Sequence, residues 1–193
     1  MIEAPTIETE RLTMRAIAPG DEDEICLVTS DQGVSDNTST LPFPYQRSDA
    51  EAFIERVRQG IEAGTEVCFG VRLRESGTLI GTMGVVLTPE HERGDLGYLF
   101  GREYWGQGYA SEACAAVVDY AFGAFNIHKL TAAWYGDNPA SGRVLEKCGF
   151  VREGVLKEHY IRGGRRRDSV SMGLLRSEYE QRYPEAGASD SAL

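Results

Sequence analysis

The sequence predicts one α+β domain, and three observations carry that expectation. Val67, Phe69, Val71 and Leu73 fall on alternate positions, ESG turns the chain, and TLIGTMGVVL (78–87) follows, which is the pattern of a β-hairpin. From position 110, Ala110, Ala113, Cys114, Val117, Val118, Ala121 and Phe125 recur at helical spacing, the clearest helix in the chain. The 193 residues are enough for one well-filled core and few for two, and neither a repeat nor a linker divides them.

Taken in order, TERLTMRAI (9–17) places Leu12, Met14 and Ala16 on alternate positions and reads as a first strand. APGDEDEICLVTS (18–30) opens with a proline and acids, which suit a helix N-terminus. NTSTLPFPYQ (37–46) has two prolines, two aromatics and no period, so it is expected to be a loop. Ser48 and Glu51 fit a capping box ahead of the helical stripe Phe53, Ile54, Val57 and Ile61. Beyond the hairpin, 88–94 is a polar loop, and DLGYLF (95–100) and KLTAAWY (129–135) are strands on either side of the long helix. Asn138 as N-cap and Pro139 at the first helical position start a short helix that Gly149 closes. FVREGVLKEHYI and RDSVSMGLL flank RGGRR as a last hairpin. The domain is then expected over 8–178, with 179–193 as a polar, disordered tail.

Composition limits the partners. The net charge is −10, and it is unevenly spread: residues 1–65 hold 13 acidic and 5 basic side chains, the remainder 17 and 15. Nucleic acid is a poor partner for such a surface, and a cationic small molecule or peptide amine is attracted to it. No run approaches the ~18 apolar residues of a membrane helix and no signal peptide opens the chain, so a cytoplasmic location without membrane contact is expected. Cys26, Cys68, Cys114 and Cys148 are widely spaced, with no CxxC pair, which argues against a disulfide framework or a metal site.

The stretch YWGQGYASEA (104–113) is the most informative. A strand, a glycine-rich loop and a helix start make an anion-binding arrangement, because the first helical N–H groups lack partners and glycine lets the backbone close on a phosphate. A tight turn with no ligand is the bland alternative. The Walker pattern fails for want of Gly-Lys-Ser/Thr. The dinucleotide fingerprint GxGxxG ends at Ser111, has His128 and Lys129 where a ribose-binding acid is wanted, and follows a hairpin, which argues against a parallel β-α-β unit.

WGQGYA (105–110) resembles motif A of the GNAT superfamily of N-acetyltransferases, with Trp105 in place of the opening Gln or Arg of [Q/R]-x-x-G-x-[G/A]. Together with TERLTMRAI, DLGYLF, NPASGRVLEKCGFVREG (138–154) and GGRRRDSVSMGLL, it is similar to the RimJ/RimL-like branch of ribosomal-protein N-terminal acetyltransferases. The resemblance implies a three-layer α/β/α domain around a mixed, mostly antiparallel sheet that splays at an acetyl-CoA site. It implies backbone contacts from Tyr98, Leu99 and Phe100 to the pantetheine arm, amides from Gly106, Gln107, Gly108, Tyr109 and Ala110 to the pyrophosphate beside Trp105, and Asn138 and Ser141 at the thioester end. Arg143 and Lys147 are placed for the adenosine phosphate or for solvent.

The implied reaction is direct attack of an amine on the thioester in a ternary complex. A lysine-like amine, with a pKa near ~10.4, needs a base to be neutral, and an α-amine near ~8 hardly does. Asp95 is the candidate for collecting the amine proton or aligning the acceptor, against a solvated strand-end carboxylate. Tyr160 lines the acceptor cleft or is simply packed. Many relatives carry a tyrosine proton donor where this chain has Leu145, and Ser141, one turn upstream, takes that role here, with water as the alternative. The acceptor is expected to be cationic (a peptide N-terminus, a polyamine or an aminoglycoside). A homodimer is compatible with the sequence. A GNAT module that binds acyl-CoA without turnover is the alternative function, and a nicotinamide-dependent oxidoreductase rests only on the near-miss fingerprint.

Overall fold

A computed structural model describes residues 1–184. Eight strands and six helices follow one another as β1 (Ile7–Glu8), β2 (Leu12–Ala16), α1 (Glu22–Thr29), α2 (Gln32–Asp36), α3 (Arg47–Ala63), β3 (Glu66–Leu73), β4 (Leu79–Thr88), β5 (Arg93–Phe100), α4 (Tyr109–Ala124), β6 (Lys129–Tyr135), α5 (Pro139–Lys147), β7 (Val151–Arg162), β8 (Arg165–Leu175) and α6 (Arg176–Arg182). The strands form one sheet in the order β1-β2-β3-β4-β5-β6-β8-β7. Every pairing is antiparallel except β5 with β6. The expected mixed, mostly antiparallel α+β architecture is therefore what the chain adopts. The β5–α4–β6 crossover is a parallel β-α-β unit, and here the expectation drawn from the preceding hairpin is corrected: a parallel pair needs a crossover helix, and α4 supplies it.

Alternation along the strands sends side chains into two cores. Val67, Phe69 and Val71 of β3 join Leu12, Met14 and Ile80 against Val117, Val118 and Ala121 of α4. Cys68, between them, faces Ile25 and Val28 of α1 and Ala50, Ile54 and Val57 of α3. The sheet is thus sandwiched between α1 and α3 on one face and α4, α5 and α6 on the other. Fully burying a side chain such as Phe69 or Leu12 stabilises the fold by about 1.5–3 kcal/mol.

Several boundaries differ from expectation. Asp21 does not use its side chain to cap α1; the carboxylate instead receives Arg15 and Arg72 and the amide of Ala18, so the helix begins at Glu22 rather than near Pro19. The capping acid of α3 is Asp49, which accepts from the Gln46 amide at 2.8 Å, and the predicted Ser48–Glu51 box lies inside the first turn. Of the tail expected from 179 onward, residues 179–182 belong instead to α6, and Tyr179 is buried with its ring stacked 4.8 Å from Phe122. Residues 185–193 of that tail lie outside the described residues.

Candidate active site

A turn of 3-10 helix (Arg102–Tyr104) leads from β5 through Trp105 into Gly106 and Gly108, at φ +75° and +86°. These are left-handed conformations that cost a residue with a β-carbon roughly 1–2 kcal/mol. Gly108 is the N-cap of α4, and its carbonyl accepts from the amides of Ser111 and Glu112, both at 3.1 Å. The five amides from Gly106 to Ala110 have no hydrogen-bond partner among the described residues. Consecutive free N–H groups at the positive end of a long helix form a concavity for an anion.

Two side-chain arrangements hold that loop. The Trp105 indole N–H donates to the Phe100 carbonyl at 2.7 Å, folding the loop back on the end of β5. Arg11, just before β2, donates from Nε to Glu112 Oε2 at 2.7 Å and from Nη1 to the Gln107 carbonyl at 3.0 Å, with its guanidinium 4.5 Å over the Tyr109 ring. The Thr9 hydroxyl and the Arg11 amide both donate to Glu112 Oε1, at 2.6 and 2.8 Å. Burial pushes the Glu112 carboxyl up, but the bonds from Thr9 and Arg11 outweigh it and hold the group below the ordinary glutamate value. Thr9 and Arg11 of TERLTMRAI, read from the sequence as the start of a strand and as part of the resemblance, therefore brace the first turn of α4. Gln107 donates its Nε2 to the Glu103 carbonyl and Tyr109 lies under Arg11, so only the amides of these two predicted residues are offered to a ligand.

A cleft of about 380 Å³ opens beside the loop. Tyr98, Leu99, Phe100, Trp105, Gly106, Gly108 and Ala110 form one side, and Asn138, Ser141, Arg143 and Lys147 of the α5 region form the other. Its base is the gap in the sheet. β5 and β6 pair from Arg93–Lys129 to Asp95–Thr131 and then part, leaving Leu96–Phe100 unpaired to Ala132–Tyr135. The Phe100 carbonyl is already taken by Trp105 and Leu99 pairs with Thr82 of β4, which leaves the N–H and C=O of Tyr98 as the strand backbone open to a ligand.

Tyr98 also bridges the gap with its side chain. Its hydroxyl stands 2.7 Å from Ser141 Oγ and donates within reach of the Ser141 carbonyl at 3.0 Å. Burial pushes the Tyr98 phenol well above its usual pKa, with the Ser141 hydrogen bond acting in the opposite direction. Asn138 caps α5, its side-chain oxygen accepting from the Ser141 amide at 3.4 Å. Leu145 is fully buried, with no polar atom to offer.

A second, larger cleft of about 840 Å³ lies beneath α1 and α3. It contains Asp95 and Tyr160 together with Tyr98, Asn138 and Ser141, so the structure brings the predicted acceptor and thioester residues into one space. Its remaining walls include Ile25, Val28, Leu41, Pro42, Tyr45 and Phe53. Each carboxylate on it already has a partner. Asp95 receives the Thr131 hydroxyl and Arg93 Nη2, the latter at 3.3 Å; both Glu66 oxygens receive Arg56 Nη1 at 2.7 Å; Asp49 receives the Gln46 amide. Asp95 is thus neither free nor fully solvated, being half-exposed at the apex of the sheet gap.

Three features of this cleft went unread in the sequence. Asn37 and Thr38 line both clefts, in a segment without periodicity. Tyr135 is buried with its hydroxyl unpartnered, between the Tyr160 ring at 5.4 Å and the Arg167 guanidinium at 4.7 Å. Arg162 donates to the carbonyls of Ser35 and Leu41, and Arg167 to that of Asp36, tying the last hairpin to α2 and the loop after it. The charge run RGGRRR carried the only signal for the last of these.

Residues 11–151 match the model of the acetyltransferase (GNAT) domain. The chain belongs to the GNAT acetyltransferase family. It is 33% identical over 175 residues to an uncharacterized N-acetyltransferase, p20, of Bacillus licheniformis, covering 90% of this chain and 98% of that one. The spermidine N-acetyltransferase of Vibrio cholerae, solved with CoA and spermine, superposes with a TM-score of 0.77 at 27% identity over 89% of this chain and 99% of that one. A ribosomal-protein-S5-alanine acetyltransferase from Vibrio fischeri shares the fold, with a TM-score of 0.81 at 21% identity over 91% and 98% of the two chains. Among the described residues no helix is long and apolar enough to cross a membrane.

Proposed function

We propose that this GNAT protein moves an acetyl group from acetyl-CoA to a primary amine by direct attack. The observation that carries the reading is the row of unpartnered amides from Gly106 to Ala110, opening into a cleft that joins a second one at Tyr98, Leu99, Asn138 and Ser141. The amides receive the diphosphate, Arg143 and Lys147 offer positive charge further along α5, and the open backbone of Tyr98, with Leu99 beside it on the cleft wall, takes the pantetheine as an added strand. The thioester supplies an activated acetyl group. Ser141 stands where the clefts meet and donates to the sulfur as it leaves. Asp95, at the apex of the gap, aligns the incoming nitrogen on the acceptor side.

The acceptor is an amine with a single positive charge on a largely apolar body, such as a peptide N-terminus. A polyamine wants several free carboxylates along its length, and the three in this cleft are engaged while its other walls are rich in aliphatic and aromatic side chains. An α-amine near a pKa of ~8 is partly neutral at pH 7 and makes little demand on Asp95. A non-catalytic acyl-CoA-binding role is the second reading, favoured by Leu145 at the position where many relatives carry a tyrosine.

CoA release measured over peptides, polyamines and aminoglycosides tests both. We expect turnover with peptide amines, a loss of about 30- to 100-fold in kcat for Ser141→Ala, and a smaller loss, about tenfold, for Asp95→Asn, each with acetyl-CoA affinity kept within about tenfold. Tight acetyl-CoA binding by calorimetry with no CoA release from any amine would instead establish the binding module.

A further inference from the structure

We infer that Tyr98 is a positioning residue for catalysis, its hydroxyl fixing the direction in which Ser141 presents its proton to the departing sulfur. This rests on the acetyltransferase reading above and assigns to the Tyr98 side chain a task separate from the backbone contacts of its strand.

The geometry allows two arrangements. Tyr98 has one proton and two neighbours, the Ser141 carbonyl at 3.0 Å and Ser141 Oγ at 2.7 Å. If the phenol donates to the carbonyl, the serine proton is drawn back onto the phenol oxygen and is turned away from the cleft. If the phenol donates to Oγ, the serine proton is released to point into the cleft. The carbonyl of Ser141 already lies inside α5, where the Leu145 amide is its helical partner, so it has less need of the phenol than Oγ has. Negative charge growing on a nearby sulfur attracts the serine proton and selects the second arrangement.

Magnitudes decide what the pair does chemically. Attack forms the C–N bond, collapse breaks the C–S bond, and sulfur leaves with the bonding electrons. A thiol has an ordinary pKa near ~8.5, far below that of an aliphatic hydroxyl, so full transfer of the serine proton to the thiolate is uphill. Burial also keeps the Tyr98 phenol protonated throughout the working range. Both hydroxyls therefore keep their protons: Tyr98 donates to Ser141 Oγ, and Ser141 is the oriented donor to the charge on sulfur. The proton shed by the attacking nitrogen passes to solvent, and the thiolate takes one from solvent, which balances the reaction. The hydroxyl pair, contributed by β5 and α5 across the open part of the sheet, meets the need that a tyrosine at position 145 meets in many relatives.

The test is a cycle of Tyr98→Phe, Ser141→Ala and the double variant, followed by CoA release and by calorimetric binding of acetyl-CoA. Tyr98→Phe keeps the ring and removes only the hydroxyl. It is expected to lower kcat about tenfold, the size of one net hydrogen bond, with the acetyl-CoA KM and Kd within about threefold of the unaltered protein. Because Tyr98 acts through Ser141, the double variant should be no slower than Ser141→Ala alone. An unchanged kcat for Tyr98→Phe overturns the proposal, as does a double variant in which the two losses multiply. A tenfold loss of acetyl-CoA affinity at constant kcat also overturns it, making the side chain a wall of the cofactor cleft. In any of these outcomes a Ser141→Ala loss leaves the acetyltransferase reading standing, whereas no CoA release from the unaltered protein removes both.

Discussion

The cleft beside α4 takes its binding groups from the main chain of five consecutive residues, whereas the cleft beneath α1 and α3 takes its walls from side chains on α1, the 37–46 loop, α3, β5, β6 and β7. The first is made by one turn and one helix start, and its polar groups survive most side-chain changes because they belong to the backbone. The second exists only when segments more than 100 residues apart are brought together, as Arg162 and Arg167 do with carbonyls of α2 and of the loop after it. A fold arranged in this way can hold one cofactor constant while its acceptor side changes, since the two clefts meet at a short junction around Tyr98 and Ser141, with Asn37 and Thr38 on the loop side.

Substitutions aimed at one cleft should then leave the other nearly untouched. The largest such effect is expected for Gly108→Val, where a left-handed φ of +86° is combined with a β-carbon only 3.3 Å from the Arg11 guanidinium. Acetyl-CoA affinity measured by calorimetry should fall about 10- to 30-fold, with the acceptor KM unchanged. Next is Arg162→Leu, which frees the loop after α2: the acceptor KM should rise about tenfold while acetyl-CoA affinity stays within about twofold. Equal losses on both sides in either variant would show that the clefts are energetically one site. Arg11→Gln should cost about three- to fivefold in acetyl-CoA affinity, because the brace orients the loop without itself being the cradle.

The smallest effect sharpens the same contrast through pH. Asp21 joins α1 to the sheet on the acceptor side; burial pushes its carboxyl up, but hydrogen bonds from Arg15 and the Ala18 amide and the nearby charges of Arg15 and Arg72 bring it below the ordinary aspartate value. A depressed folded pKa means that the unfolded chain binds the proton first. The stabilisation is therefore complete above the unfolded pKa of about 3.9 and is lost as pH falls through the lower folded value. Asp21→Asn should lower Tm by about 2–4 °C at pH 6, and the gap to the unaltered protein should narrow as pH falls below about 3.9. A gap independent of pH would mean that shape, not charge, holds α1 in place.

What the sequence made legible follows the same division. Strand alternation in Val67–Leu73, the stripe on α4, and Asn138 with Pro139 at the start of α5 are local signals, and the chain folds as they indicate. So is the glycine loop, since φ and helix polarity act within a few residues. The α2 helix is five residues long, too short for a period to register. Tyr179 looked like part of a polar tail because its partner Phe122 is 57 positions away. Asp95 was legible as a carboxylate in the right strand with Arg93 two residues before it, but Thr131, which also occupies it, becomes visible only when β6 lies alongside β5. Tyr135 and Arg162 are ordinary residues of their strands until the hairpin meets the loop after α2.

The parting of β5 from β6 after Asp95 and Thr131 also has a thermodynamic consequence. Leu96–Phe100 form an interior strand with one side left without a neighbour, so the sheet is complete only when something extended lies along it. Any molecule that fills the gap in the folded chain and not in the unfolded one raises stability by mass action, by about 2.7 kcal/mol at a hundredfold excess over Kd. Amide hydrogen exchange along that strand should then report occupancy directly, slowing when the gap is filled even with an acyl donor that never reacts.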